Sequence, residues 1–162
     1  MRKATTLLAG ILTLALAGTA LAAQDGTVDG AYGPAIVTQT TQTQFGDASI
    51  GFTNFANGSE IDGAYAYVSS GNLYLMLTGN LESNFNKLEI YFDTKAGGQN
   101  QLRNDNADVD FNGLNRQAGL KFDAGFEPDY YITTTGGYDG AGYRMFASYA
   151  ELLTGGAGTG GY

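Results

Sequence analysis

The residues best suited to chemistry are oxygen ligands in one acidic stretch. Asp108, Asp110, Asn112 and Gly113 match the first half of a D-x-[DN]-x-[DN]-G loop, in which alternating oxygens followed by glycine wrap a hard cation at about 2.4 Å. The twelfth loop position is Gly119 where a bidentate Glu belongs, so Asp105 or Asp123 would have to complete the shell. The competing reading is a solvated acidic loop tip. Calcium, held by Asp108, Asp110 and Asn112, is the one cofactor this pattern suggests.

Two carboxylate pairs could in principle work as acid and base. Glu89 and Asp93 fall on one face of a strand, but at about 3.3 Å per residue they stand roughly 13 Å apart, beyond the about 5 to 9.5 Å of glycosidase pairs. Glu127 and Asp129 have a permissible spacing and read better as a solvated strand edge. There is no His and no Cys. Ser-His-Asp and Cys-His catalysis, histidine-ligated zinc and haem-histidine sites are therefore excluded. Gly156, Gly158 and Gly161 satisfy G-x-G-x-x-G, but no helix can follow a motif that ends one residue before Tyr162, so no nucleotide is expected. An enzyme is not the expectation.

Tyrosines carry the other chemistry. Ala64 to Val68 and Leu73 to Leu77 are two alternating runs around Ser69, Ser70, Gly71 and Asn72, which predicts a β-hairpin. With Ser70 and Gly71 at its tip, Tyr67 faces Tyr74 and Tyr65 faces Met76. The face Ala64, Ala66, Val68, Leu73, Leu75 and Leu77 then reads as core. The other, with Tyr65, Tyr67 and Tyr74 joined by Tyr91 from the next strand, reads as an apolar platform with hydroxyl tips. Such a platform stacks on sugar rings or is covered by protein.

The elements that must position these groups are strands. Gly numbers 25 and Pro only 2, while Tyr (11) and Phe (9) are plentiful, and no long amphipathic helical run is present. Beyond the hairpin, strands are predicted at 35–40, 87–93, 119–123, 129–134 and 143–149, with Leu88, Ile90 and Phe92 turned to the core. Seven or so short strands predict an all-β, antiparallel β-sandwich with jelly-roll or immunoglobulin-like layering. A long polar connection, 95–116, is expected to be functional or mobile. Asp-Gly-Ala recurs at Asp29, Asp62 and Asp139 as turn chemistry rather than as a repeat.

Arg2 and Lys3, the apolar run Thr5 to Leu16, and Ala20, Leu21, Ala22 have the order of a secretory signal peptide over 1–22. Its removal leaves a sandwich domain at 23–154 and a Gly-rich flexible tail at 155–162. The remaining 6 basic and 16 acidic residues give a net charge of −10, which repels nucleic acid and anionic membranes. The expected location is secreted, extracellular or at the cell surface, with the periplasm as a further destination. No membrane insertion follows cleavage.

Thr27, Val28, Asp29, Gly30, Ala31 and Tyr32 resemble the start of family 9 carbohydrate-binding modules and the related DOMON-like sandwiches. Asn72 to Leu75, and Leu88 to Asp93 followed by Gly97 and Gly98, resemble their central strands. The resemblance spans roughly residues 27–134 and implies a β-sandwich that binds sugars or, in some branches, haem, with calcium in several members. Haem and zinc are not expected without histidine. Gly51 to Asp93 is also similar to exported bacterial surface proteins of unassigned function, which generally continue past a Gly-rich insertion. Against that pattern this chain reads as a member truncated at its C-terminus, with an incomplete sandwich. The expected function is a secreted, non-catalytic binding module for polysaccharide or another surface ligand. The alternative is a structural surface or matrix protein that pairs with copies of itself through strand edges.

Overall fold

The computed structural model describes residues 25–40 and 59–162. Residues 1–24, with the stretch expected to be a signal peptide, and residues 41–58 lie outside them. The described chain is all-β, with seven strands and two three-residue 3-10 turns. Strands β1 (Val37–Thr38), β2 (Glu60–Ser69) and β3 (Asn72–Asn80) form one sheet in the order β1-β2-β3. Strands β4 (Asn84–Phe92), β5 (Tyr130–Tyr138), β6 (Tyr143–Glu151) and β7 (Gly160–Gly161) form a second, antiparallel sheet in chain order. Where composition suggests one domain, the chain divides into two compact units, Met1–Val37 with Ala64–Met76, and Thr38–Gly63 with Leu77–Tyr162.

The first unit is built on local turn chemistry. Asp29 accepts a hydrogen bond from the Ala31 amide at 2.9 Å and so caps the 3-10 turn Gly30–Tyr32. The β2–β3 hairpin turns at Ser70 and Gly71, both with positive φ (51° and 79°), the two-residue geometry that matches strand twist. The expected core face holds only in part. Ala64 is buried, but Val68 and Leu73 at the tip are 72% and 52% exposed.

The second unit takes its core from the four-stranded sheet and the long connection. Cα partners share a face, so the ladder Leu88–Thr134–Ala147 marks one face and the ladder Glu89–Thr133–Ser148 the other. Tyr131 and Ala150, on the latter face, are fully buried against Leu102, Val109 and Leu114 from the connection and against Leu152. Residues 95–116 are therefore a packed cover over the sheet. Amide side chains stitch it together: Gln99 Nε2 donates to Asn106 Oδ1 (2.6 Å) and to the Leu153 carbonyl (2.8 Å), and Asn115 Nδ2 donates to the Asn106 carbonyl (3.0 Å). Buried backbone groups of a loop need such partners.

The C-terminal stretch corrects the expectation of a flexible tail. Residues 160–161 pair with Ala150 and Tyr149 as β7, and the Thr159 hydroxyl donates to Glu151 Oε2 at 2.7 Å. Its glycines let the backbone lie against the core with no room for a Cβ. One at Gly160 would fall 2.7 Å from Val109 Cγ1, and one at Gly158 would fall 2.3 Å from the Glu151 carbonyl oxygen. Glycine here is the residue that permits close approach.

Candidate binding surface

The hairpin tyrosines do not form an open platform. Tyr67 and Tyr74 stack on each other, centroids 4.6 Å apart at 17°, as directly opposite residues can. Tyr32 meets Tyr67 edge-on at 5.4 Å and 88°. Tyr32 is buried, while Tyr65, Tyr67 and Tyr74 are half-buried. Much of the ring surface is thus spent on protein contacts, and the turn that opens the DOMON-like resemblance supplies the covering ring.

Tyr91 does not join the hairpin tyrosines: it is half-buried and packs against the core of the second unit. Its ring packs on Phe122 (4.9 Å) and Tyr131 (5.2 Å). Its hydroxyl donates to Gln117 Oε1 at 2.7 Å, while Gln117 Nε2 and the Tyr131 hydroxyl donate to Glu89 Oε1 at 2.6 and 2.9 Å. Burial first, and the Glu89 charge second, push the Tyr91 phenol above its usual range. It stays a neutral donor. The alternation of β4 turns Leu88, Ile90 and Phe92 inward, but they are only half-buried, and the packed core lies on the Tyr91 side.

Two of the three residues of the expected calcium set already have partners within the fold. The Asp110 carboxylate is buried and bonded by the Lys87 ammonium, and Asn112 Oδ1 accepts from Asn115 Nδ2 at 2.6 Å. Asp108 is exposed. Among the described residues no cluster of three or more carboxylates has a metal-holding arrangement. Asp110, Phe111 and Asn112 instead form a left-handed turn with φ of 54°, 53° and 60°, a conformation that costs a non-glycine residue about 1 kcal/mol or more. Since the Lys87 ammonium already occupies Asp110, about 1 mM calcium or a chelator is expected to leave the melting temperature unchanged. A calcium-dependent rise would mean that Lys87 yields Asp110 to the cation.

Of the four residues in the two carboxylate pairs, Glu89, Asp93 and Asp129 accept hydrogen bonds within the fold. Glu89 is bonded as described, and Asp93 Oδ2 accepts from the Glu127 amide at 3.0 Å. Asp129, 1% exposed, accepts from the Thr94 amide, the Thr94 hydroxyl and the Lys95 amide at 2.7–2.9 Å.

Apart from Tyr162, the tyrosines that do face solvent lie on β5 and β6. Tyr138, Tyr143 and Tyr149 are 63%, 49% and 49% exposed, and Met145 is 55% exposed. The registers Tyr138–Tyr143, Gly136–Met145 and Ile132–Tyr149 put them all on the face opposite Tyr131. The glycines flatten this strip. Tyr143 lies across Gly136, where a Cβ would sit 2.1 Å from its hydroxyl, and Tyr149 lies against Gly161. From Tyr143 to Tyr149 the strip runs roughly 20 Å, and Met145 and Ala147 between them are uncharged. Sequence reasoning finds the strand but not its face. The alternation Tyr143, Met145, Ala147, Tyr149 is the available signal, since a run of four outward apolar residues is uncommon on a solvated sheet.

Beside the strip is a cleft of about 300 Å3, lined by Ile61, Leu77, Leu81, Leu88 and Met145 together with the charged Glu60 and Lys87. No helix among the described residues is long and apolar enough to cross a membrane. No protein-family model, characterised protein or solved structure matches this chain.

Proposed function

We propose that the protein is an exported, non-catalytic binding module whose ligand is an uncharged polysaccharide, laid along the β6 strip. The supporting observation is the strip itself: three exposed tyrosines with polar tips, with the uncharged Met145 and Ala147 between Tyr143 and Tyr149, on a chain that carries 16 acidic residues. Sugar rings offer apolar C–H faces and hydroxyl edges, which suits tyrosine better than an aliphatic surface would. An anionic polymer would be repelled by the net charge. The same proposal includes the signal peptide, the DOMON-like resemblance and the sandwich layering of the two sheets.

Retention on insoluble cellulose, xylan and chitin tests it. The double variant Tyr143→Ala/Tyr149→Ala is expected to bind its best polysaccharide about 30-fold or more weakly, at roughly 1 kcal/mol per stacked ring. Tyr67→Ala/Tyr74→Ala is expected to melt earlier and still be retained. A wild type that none of the three retains, or a Tyr143/Tyr149 variant retained as well as wild type, overturns the reading.

A further inference from the structure

The cleft of about 300 Å3 lies wholly within the second unit. The start of β2 and the end of β3 bring Glu60, Ile61 and Leu77 to it, and β4 and β6 bring Lys87, Leu88 and Met145. An apolar cavity of about 150 Å3 already accepts a benzene ring, so a cleft of twice that volume has room for a hydrocarbon body of about six to eight carbons. Its size is that of a small-molecule pocket rather than of a protein interface.

The two charged side chains that line it differ in what they leave for a ligand. The Lys87 ammonium is matched by the buried Asp110 carboxylate. Glu60 meets a second acid instead. Asp62, two residues along β2 and so on the same face, is hydrogen-bonded to the Glu60 carboxyl, and that bond first raises Asp62 above its ordinary value of 3.8. Neighbouring carboxyls resist joint ionisation, and a cation beside them removes the penalty. A third acid adds to the negative potential here. Glu82 is 9% exposed with its Oε1 unpartnered, and its amide donates at 3.2 Å to the Oγ of Ser59, itself a lining residue. Among the described residues these acids do not converge as a metal-holding cluster, so the complementary cation is a broader, organic one.

We infer that the cleft binds a small organic ammonium ion, with its hydrocarbon body against Leu77, Leu88 and Met145 and its N–H donors toward Glu60 and Asp62. An ammonium head supplies three donors and no acceptor, which suits a carboxyl pair. A carboxylate head would face Glu60 and Asp62 with Lys87 already engaged by Asp110. The chain's net charge of −8 draws in a cation and repels an anion. The inference does not rest on the polysaccharide proposal, since of these groups only Met145 belongs to the β6 strip.

Titration calorimetry of the full chain with octylammonium, octanoate and octanol tests it. Octylammonium is expected to bind with a Kd of about 100 μM, and octanoate and octanol each about tenfold or more weakly. Methyl shifts at Leu77, Leu88 and Met145 in NMR spectra are expected to accompany octylammonium binding. Glu60→Gln keeps the shape and removes the charge, and is expected to weaken octylammonium about tenfold. Glu60 is half-buried, so the comparison of the three head groups on wild type decides even if that variant melts early. No binding of octylammonium at about 10 mM, octanoate bound as tightly as octylammonium, methyl shifts confined to residues outside the cleft, or a folded Glu60→Gln variant that binds octylammonium like wild type would each overturn the inference.

Discussion

Replacing Asp129 with alanine is expected to lower stability by about 4 kcal/mol and the melting temperature by about 10–15 °C. The carboxylate receives three donors, the Thr94 amide and hydroxyl and the Lys95 amide, and alanine would leave the two amides without their acceptor in a site 1% exposed. Its backbone extends the damage. The Asp129 amide donates to the Phe92 carbonyl, and its carbonyl accepts from the Leu152 amide, both at 2.8 Å. One residue therefore ties together the end of β4, the entry to the long cover and the chain after β6. Thr94→Ala removes only the hydroxyl donor and is expected to cost about 1 kcal/mol. Equal losses for the two variants would show that the carboxylate is not the clamp.

Acid gives a second readout of the same group. Burial alone would raise the Asp129 carboxyl, but the Thr94 and Lys95 amides, the Thr94 hydroxyl and the Lys95 ammonium outweigh it and hold the group below its ordinary value of 3.8. A carboxyl lowered by folding contributes stability that is fully present above the unfolded value and is lost as pH falls through the folded one. The gap in melting temperature between wild type and Asp129→Ala should therefore stay constant from neutral pH down toward 4 and close only below 3.8. A gap that closes well above pH 4 would contradict the assignment.

Asp129 also illustrates what the sequence makes legible. Strand positions are readable wherever alternation is bounded by turn residues: the β2–β3 hairpin and its Ser70–Gly71 tip, β4, β5 and β6 all form close to where the pattern puts them. The side that each strand buries is less readable. β4 alternates apolar residues with Glu89 and Tyr91, and polarity alone turns Leu88, Ile90 and Phe92 inward. Tyr91, half-buried like them, is the one packed against the core, because the long connection between β4 and β5 folds back and brings Leu102, Val109, Leu114 and Phe122 to its side, together with Gln117 to take its hydroxyl. That cover reads as solvent-facing loop because its buried polar residues, Gln99, Asn106 and Asp110, pair with one another, with backbone and with Lys87. Such pairing leaves no periodic trace. The cation motif is a case of the same kind, since the partner that takes Asp110 comes from β4, 23 residues earlier.

Gly158→Ala is expected to detach the C-terminal strand, at a cost of about 2–3 kcal/mol and roughly 5–10 °C. Composition argues that an eight-residue stretch rich in glycine cannot hold a structure, and for an isolated peptide that is sound. Against a preformed surface the sign of the argument changes. Gly156, Gly158 and Gly160 each lie close against the folded chain, Gly156 in a turn with φ of 80°. A Cβ there would meet the Asp105 carboxylate at 2.4 Å, the Glu151 carbonyl oxygen at 2.3 Å and Val109 Cγ1 at 2.7 Å in turn. At Gly158 the obstacle is backbone of β6, which cannot swing aside as the far end of a side chain can. The methyl must break the Glu151–Thr159 pairing, with its 2.8 Å amide bond and its 2.7 Å hydroxyl bond, and uncover Val109 in the core. A methyl at Gly155 would have nothing within 4 Å, and the φ there is open to alanine, so Gly155→Ala is expected to be neutral or slightly stabilising. Hydrogen exchange separates the outcomes. In Gly158→Ala the Glu151 amide should lose protection while Tyr131, in the centre of the sheet, keeps its own, and in Gly155→Ala both should stay protected. Unchanged protection at Glu151 in the Gly158 variant would return the tail to the flexible segment that its composition suggests.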